Sequence, residues 1–287
     1  MNSVADIRDI IIEKYRDGDF VVDRTGAKTI EVIGATFLAD EDWIIRKPNT
    51  EYIQRELEWY QSMSLYVDDI PGETPKIWQD IASTEGKINS NYGYLVWSHE
   101  NGNQFDNVYK ELKSNPNSRR AVMIYNRPSM HTDYCKDGMN DFICTYANTF
   151  MIRDNKLVSH YIMRSNDAVF GYNNDVAWAR FIQGYLASKL EVEVGALIWT
   201  ATNFHVYERH FKFIEEVIQA KKNEIELDAR EIMRKRSEAL AIAMLGKESA
   251  NKWWNSRNKE FDMETPEEMW AKDHRRVYSY LMSYSNF

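Results

Sequence analysis

The stretch from Asp141 to Asp175 holds side chains that together can perform chemistry on an anionic ring. Cys144 supplies a thiol, Arg164 supplies a cation beside the hydroxyl of Ser165, and Asp175 supplies a carboxylate. A cysteine becomes nucleophilic when nearby cations lower its pKa, and the arginine fork suits phosphate. These residues predict a site that holds and attacks an anionic, polar ring.

Further arginines occur near turns or strand ends, at Arg24, Arg119 and Arg120. Each alone is typical of a surface ion pair, but together with Arg164 they can hold a phosphate dianion through forked donors. Glu56 lies beside the apolar stripe of a predicted helix, where a carboxylate at the boundary of the core is the ordinary interpretation.

Other kinds of site have little support in the sequence. His205 and His210 are five residues apart, and no His or Cys pair has zinc spacing, so no metal site is predicted. Cys135 and Cys144 are nine residues apart, which matches no redox motif, and Cys135 is interpreted as structural. Neither a glycine-rich nucleotide loop nor a GxSxG serine motif is present.

Composition predicts a soluble, cytoplasmic α/β protein. The length of 287 residues predicts one large domain or one domain plus a small appendage, and a hydrophobic content of 44% is enough for a substantial core. A net charge of −8 argues against nucleic-acid binding. Two cysteines fit a reducing compartment, and neither a signal peptide nor a membrane span is apparent.

Hydrophobic periodicity predicts alternating helices and strands up to about residue 221. A hairpin of strands 142–152 and 157–164 turns at Arg153–Lys156. Helices are predicted over 3–16, 50–62, 104–113, 175–190 and 208–220. Besides the hairpin, strands are predicted over 29–37, 94–97, 121–125 and 196–207.

Strand signals vanish after residue 221. We therefore predict a catalytic domain over 1–221 and a small all-α extension over 222–287. Gly246 is a plausible helix C-cap, and Thr265 followed by Pro266 is a good helix start.

Several motifs resemble the thymidylate synthase family. They are SRRAVM at 118–123, Cys144, RSND at 164–167, FHVYERH at 204–210, DRTG at 23–26 and ELEWY at 56–60. Within the family, the stretches EYIQRELEWY, DIPGETPKIWQ and MRSNDAVFG are most similar to the enzymes of T-even-type bacteriophages that hydroxymethylate deoxycytidylate. The resemblance covers roughly residues 19–215.

The resemblance implies an α/β (α+β) fold with a large mixed sheet flanked by helices. It implies a homodimer with the two sheets back to back. It also implies that Cys144 attacks C6 of a pyrimidine and that Glu56 is a general acid/base that orders water. The implied binding residues are Arg24, Arg164 and Ser165 for the phosphate, Arg119 and Arg120 reaching over from the second subunit, His205 and Tyr207 for the sugar, Asn166 and Asp167 for the substrate, and Trp78, Tyr92 and Asp167 on the folate side.

The implied reaction joins dCMP, 5,10-methylenetetrahydrofolate and water without a metal. The product is 5-hydroxymethyl-dCMP for modified phage DNA. Two alternatives stay open. One is a methylase acting on dUMP or dCMP, with hydride from the folate in place of water. The other is a synthase fold kept as a non-catalytic binding protein.

Asp175 stands where thymidylate synthase has asparagine. An amide offers a donor and an acceptor, which fits uracil, whereas a carboxylate only accepts. A cytosine adduct protonated at N3 presents two donors, so Asp175 favours cytosine and repels the O4 of uracil. The competing interpretation is a helix N-cap.

The tail differs from thymidylate synthase, which closes its site with its own C-terminus. From about residue 240, the pattern AxKWWNSRN…ETPEEMW…RRVYSYL resembles the toxin-binding domain of Xre/MbcA/ParS-type antitoxins. The extension is therefore interpreted either as helices packing on the catalytic domain or as a docking module for a protein partner.

Overall fold

A computed structural model describes residues 1–23 and 26–284, with Tyr284 lacking a described side chain. The chain divides into two compact units, Met1–Ile214 and Glu215–Phe287. The boundary predicted from the sequence, 221/222, falls inside one continuous helix, where two helices are predicted. The charge change there contains neither Gly nor Pro, so nothing in it ends a helix. The assignment of 1–221 as catalytic domain and 222–287 as extension stays a prediction.

Among the described residues, six strands form one mixed sheet in the order β1-β2-β6-β5-β4-β3. Only β5 and β6 pair in parallel. The strands are β1 (Val21–Val22), β2 (Lys28–Leu38), β3 (Val122–Ile124), β4 (Thr145–Arg153), β5 (Lys156–Asp167) and β6 (Glu193–Tyr207). The predicted mixed sheet with flanking helices is confirmed.

The predicted hairpin of β4 and β5 is confirmed. Arg153 pairs with Lys156, and the two residues between them, Asp154 and Asn155, have φ of 49° and 58°. Asp and Asn tolerate this left-handed region, which the tightest hairpin turns require at both central positions. The turn sets the register as far as Ala147, and a one-residue shift between Thr145 and Ala147 then brings Cys144 opposite Arg164.

The helices of the first unit lie before and between the strands. They are α1 (Val4–Asp17), α2 (Thr50–Ser62), α3 (Lys76–Ile81), α4 (Tyr92–Trp97), α5 (Gln104–Ser114), α6 (Met130–Asp133) and α7 (Gly171–Leu190); α8 (Phe211–Leu245) begins in this unit. Helix α7 links the parallel strands β5 and β6. This crossover brings the end of β5 beside the first turns of α7.

One face of the sheet is buried in the first unit. Tyr161, Trp199, Phe37 and Phe150, each from a different strand, are at most 1% exposed. The rings of Tyr161 and Trp199 stack with centroids 4.7 Å apart. Buried aromatic rings of this size dominate the apolar surface removed from water.

Two local predictions are wrong. Tyr94–Trp97 belongs to helix α4 and is not a strand, because the Asn91 side chain accepts from the Tyr94 backbone N–H at 2.8 Å and starts a helix. Helix α7 begins at Gly171, four residues before the predicted start at Asp175.

The described part of the second unit contains helices joined by short turns and no strand. Besides the rest of α8, it holds α9 (Lys247–Trp254) and α10 (Pro266–Tyr284) around a core that includes Trp254, Phe261 and Trp270. The predicted start of α10 is confirmed, because Thr265 Oγ1 accepts from the Glu268 N–H at 3.1 Å. No described helix combines the length and apolarity that crossing a bilayer needs.

Candidate active site

Cys144 lies immediately before β4 and is held by Arg164 of β5. The Arg164 backbone N–H donates to the Cys144 carbonyl at 2.8 Å, which fixes the two residues opposite each other. Arg164 Nη2 donates to Cys144 Sγ at 3.3 Å and to the Phe142 carbonyl at 2.5 Å. The guanidinium therefore faces the sulfur, as the sequence predicts for an activating cation.

The Cys144 thiol is nevertheless not ionised in the free chain. Burial raises the pKa of Cys144 to about 11, Arg164 opposes that rise, and the carboxylates of Asp175 and Asp141 add to it. Arg164 acts on the pKa in the predicted direction, but in the isolated chain desolvation of the thiolate outweighs this one arginine. Activation therefore requires positive charge beyond that of Arg164.

Asp175 points into the same site from the second turn of α7. Its Oδ2 accepts from Asn166 Nδ2 at 2.8 Å, and its Oδ1 accepts from Tyr92 Oη at 3.3 Å. Burial, and after it the nearby Glu56 carboxylate, raises the pKa of Asp175 well above its usual value. Because Asn166 and Tyr92 each hold one oxygen of this half-buried side chain, its remaining lone pairs point in a defined direction.

The N-cap interpretation of Asp175 is wrong, because another carboxylate performs that task. Asp167 accepts from the backbone N–H groups of Val169, Phe170 and Gly171 at 3.2, 3.0 and 3.4 Å. These are donors at the start of α7, which an acidic side chain satisfies well. The carboxylate predicted to line the pocket, Asp167, is thus engaged with backbone, and Asp175 is left for another role.

Glu56 lies on α2 and is 4% exposed. Its Oε1 accepts from Tyr52 Oη at 2.7 Å, and Tyr52 Oη accepts from Trp78 Nε1 at 2.8 Å. Burial raises the pKa of Glu56 to about 7, while Tyr52 and Trp78 oppose the rise. A carboxyl group with this pKa both gives and takes a proton near neutral pH.

A chain of hydroxyl groups connects Asp175 to the sheet. Thr145 Oγ1 lies 2.9 Å from Tyr92 Oη and 3.0 Å from Tyr161 Oη. Sequence reasoning missed Thr145 and Tyr161. The position of Thr145 next to Cys144 is a signal for it, whereas nothing local marks Tyr161.

A buried carboxylate also orders the segment that leads to Cys144. Asp141 accepts from the backbone N–H groups of Asn89 and Ser90 at 2.6 and 2.8 Å, and from Ser90 Oγ at 2.6 Å. Desolvation raises the pKa of Asp141. These bonds join the segment before Cys144 to the segment before Tyr92.

The predicted sugar-binding residues lie on β6 beside the end of β5. His205 pairs with Asp167 and Asn203 pairs with Ser165 across the parallel ladder. His205 is 7% exposed, and its Nδ1 lies 3.1 Å from Asn203 Oδ1. The ring of Tyr207 is 4.7 Å from that of His205, centroid to centroid. Burial lowers the pKa of His205, which favours the neutral ring. Asn203 was missed by sequence reasoning.

Arg119 and Arg120 do not join this site within one chain. Both are exposed and precede β3, and the β3–β4 register puts them level with the far part of β4. At about 3.3 Å per residue, that is roughly 20 Å from Cys144 along the strand. Arg120 forms an ion pair with Glu111 at 3.3 Å. Arg24 lies outside the described residues.

The described residues contain no group of three or more His, Cys, Asp or Glu side chains arranged to hold a metal ion. The two cysteines, Cys135 and Cys144, are both free thiols.

Comparison with known proteins points to one family. The Thymidylate synthase family model matches residues 6–245. The deoxycytidylate 5-hydroxymethyltransferases of Enterobacteria phages T4 and T2 are each 52% identical over 220 residues, which are 74% of this chain and 89% of the relative. The thymidylate synthase of Francisella philomiragia is 28% identical over 231 residues, 75% of this chain and 83% of the relative.

Proposed function

The chain belongs to the thymidylate synthase family, and we propose from that premise that it is a deoxycytidylate 5-hydroxymethyltransferase. The family uses 5,10-methylenetetrahydrofolate as co-substrate. The proposed substrates are dCMP, this folate and water, and the product is 5-hydroxymethyl-dCMP for modified phage DNA. The identity to phage deoxycytidylate 5-hydroxymethyltransferases supports this reaction.

The half-buried Asp175 carboxylate is the observation that carries the choice of base. Asn166 and Tyr92 each occupy one side of it, so both oxygens keep a lone pair for a ligand. Cytosine that has gained a thiolate at C6 and a proton at N3 presents N3–H and the 4-amino group, which are two donors. Uracil presents a donor and an acceptor, and its O4 meets a carboxylate oxygen without a proton between them.

In the proposed reaction, Cys144 adds to C6 of dCMP and charge develops on the base. Arg164, 3.3 Å from the sulfur, stabilises the thiolate as it forms, and Asp175 stabilises the protonated N3 of the adduct. C5 then bonds to the one-carbon unit that the folate supplies, and C5 loses its proton. After tetrahydrofolate leaves, water adds to the exocyclic methylene with Glu56 as proton acceptor, and Cys144 is expelled.

Phosphate binding is proposed for Arg24, Arg164 and Ser165 of one subunit, with Arg119 and Arg120 of the other. Two observations support a shared site. Arg119 and Arg120 are exposed and remote from Cys144 in their own chain. Arg164, which does lie beside Cys144, already directs its guanidinium at the sulfur. Several forked donors hold a phosphate dianion better than one, so arginines from the second subunit would complete the site.

The second face of the sheet supports the homodimer. One row across five strands carries Ile124, Ala147, Ile162, Thr200 and Thr36, and none of them is fully buried. Ile124 is 55% exposed. A sheet with one face buried and a second face rich in apolar, uncharged residues is typical of an interface between subunits.

We further propose that the folate lies beside Trp78 and Tyr92. Trp78 is half-buried, and its ring meets Trp59 edge-on with centroids 5.3 Å apart. A flat pterin can stack on such an aromatic wall next to Glu56. The cytoplasm is the proposed compartment, because both cysteines are free thiols.

A protein partner for the second unit stays a prediction. The second unit has its own core, built around Trp254, Phe261 and Trp270, and this core supports a self-contained module. Binding of that module to a partner was predicted only from the antitoxin-like pattern after residue 240.

Mass analysis of the product from dCMP, methylenetetrahydrofolate and purified protein tests the proposal. A hydroxymethyl product is expected, and tetrahydrofolate should accumulate. A methyl product with dihydrofolate would identify the methylase alternative instead. If neither dCMP nor dUMP labelled with tritium at C5 released tritium in the presence of folate, the result would identify a non-catalytic binding protein.

A further inference from the structure

The hydroxyl of Tyr52 lies between the indole of Trp78 and the carboxylate of Glu56. Tyr52 Oη donates to Glu56 Oε1 at 2.7 Å and accepts from Trp78 Nε1 at 2.8 Å. Tyr52 and Glu56 are four residues apart on α2, which puts them on one helix face. Trp78 comes from α3, so two helices assemble the arrangement.

We propose that Tyr52 is a positioning residue for Glu56, and this role rests on the proposed hydroxymethyltransferase reaction. The Tyr52 hydroxyl holds one carboxylate oxygen so that Glu56 meets the water that attacks the exocyclic methylene. In that step the water oxygen bonds to the methylene carbon and a water proton passes to Glu56. The electron pair moves through C5 to re-form the C5–C6 double bond as the Cys144 thiolate leaves.

The direction of the hydrogen bonds in this group is fixed by chemistry. An indole N–H only donates, so the Tyr52 oxygen must accept from Trp78 and direct its own proton to Glu56. Burial, and after it the Glu56 carboxylate, raises the pKa of Tyr52, so the hydroxyl keeps that proton. Glu56 therefore receives a donor whose orientation does not fluctuate between partners.

Arg55 links the helix that carries Tyr52 to the loop before Trp78. Its guanidinium donates to the carbonyls of Pro71 and Glu73, and its centre lies 5.8 Å from the centroid of the Tyr52 ring. The loop 70–75 is thereby attached to α2. This attachment keeps the indole of Trp78 within reach of the hydroxyl.

Three titratable groups face Glu56. Tyr52 and Tyr60 come from α2, and Asp175 comes from α7. Burial and the Asp175 carboxylate both disfavour a second negative charge at this place, whereas the Tyr52 hydroxyl favours the ionised form of Glu56. Removing the hydroxyl therefore raises the pKa of Glu56 beyond its value of about 7.

The test is the pH dependence of kcat for hydroxymethyl product in Tyr52→Phe. Glu56 must be ionised to accept the water proton, so the rising limb should move up by about 1–2 pH units, the effect of losing one hydrogen bond to a carboxylate. Tyr125→Phe is the matched control, because Tyr125 Oη accepts from Trp178 Nε1 at 3.0 Å without a carboxylate partner. Its rising limb should stay at the wild-type pH.

Wild-type activity and the folding of the variants distinguish failure of the proposed function from failure of the positioning role. If the wild-type protein releases no tritium from labelled dCMP and forms no product, the proposed function fails before Tyr52 is tested. If the wild type is active and Tyr52→Phe is folded with an unmoved rising limb, the positioning role is wrong. Should Tyr52→Phe fail to fold, Trp78→Phe frees the hydroxyl to turn away and should give a smaller shift in the same direction. An unmoved limb in that variant would also overturn the proposal.

Discussion

Asp175→Asn should transfer preference from dCMP to dUMP. The amide has the shape of the carboxylate, and Asn166 decides its orientation, because a donor 2.8 Å from Oδ2 requires the amide oxygen at that place. The amide nitrogen then occupies the Oδ1 position near Tyr92. The edge that faces the base becomes one acceptor and one donor, which matches N3–H and O4 of uracil.

The magnitude follows from the number of contacts exchanged. A hydrogen bond that involves a charged group contributes about 1.5–3 kcal/mol. In the variant, cytosine loses one favourable contact with residue 175, and uracil gains one. Together these two changes alter the difference in transition-state binding between the two nucleotides by about 3–6 kcal/mol. The ratio of kcat/KM for dCMP over dUMP should fall by about 10²–10⁴-fold.

The assay measures kcat/KM for both nucleotides in wild type and variant, with tritium release from the C5-labelled nucleotides as the common readout. Asn174→Asp is a matched control, because it makes the reverse exchange one residue away on α7. That control should leave the ratio unchanged. An unchanged ratio in a folded Asp175→Asn protein would refute the argument that this carboxylate reads the base.

Three further predictions follow from charge and burial. Glu56→Gln should be inactive yet more stable at pH 8 by about 3 kcal/mol. The folded-state pKa of about 7 lies above the ordinary value, so the wild-type carboxyl costs stability as pH rises. The difference should vanish near pH 4 in thermal unfolding. Iodoacetamide at pH 7 should alkylate the exposed Cys135 well before Cys144, whose pKa of about 11 keeps it protonated; peptide mass analysis that finds the reverse order would contradict the burial argument. Mixing inactive Cys144→Ala with inactive Arg119→Ala/Arg120→Ala subunits should restore about a quarter of wild-type activity through hybrid dimers. No recovery after confirmed subunit exchange would refute the shared site.

Much of the local structure was predictable because short-range chemistry determines it. The hairpin turn follows from Asp154 and Asn155, which tolerate positive φ. The start of α10 follows from the Thr265 cap. Where a competing local signal existed, prediction failed: Tyr94–Trp97 has the composition of a strand, but the Asn91 cap before it starts a helix.

The sequence by itself determined which groups are available: a thiol at Cys144, a cation at Arg164, carboxylates at Glu56 and Asp175. Tertiary structure decided what each group does. Their pKa values depend on burial, which is set by residues distant in the chain, so the raised pKa of Cys144 could not be predicted from a neighbouring arginine.

The different roles of Asp167 and Asp175 also could not be predicted from the sequence. Both Asp167 and Asp175 precede or begin an apolar run, and either can cap a helix. Only the crossover from β5 into α7 determines that Asp167 meets the free backbone N–H groups, while Asp175, in the second turn of α7, meets Asn166 and Tyr92. Residue types are written in the sequence, but which donor a carboxylate meets depends on contacts that form when distant segments pack together.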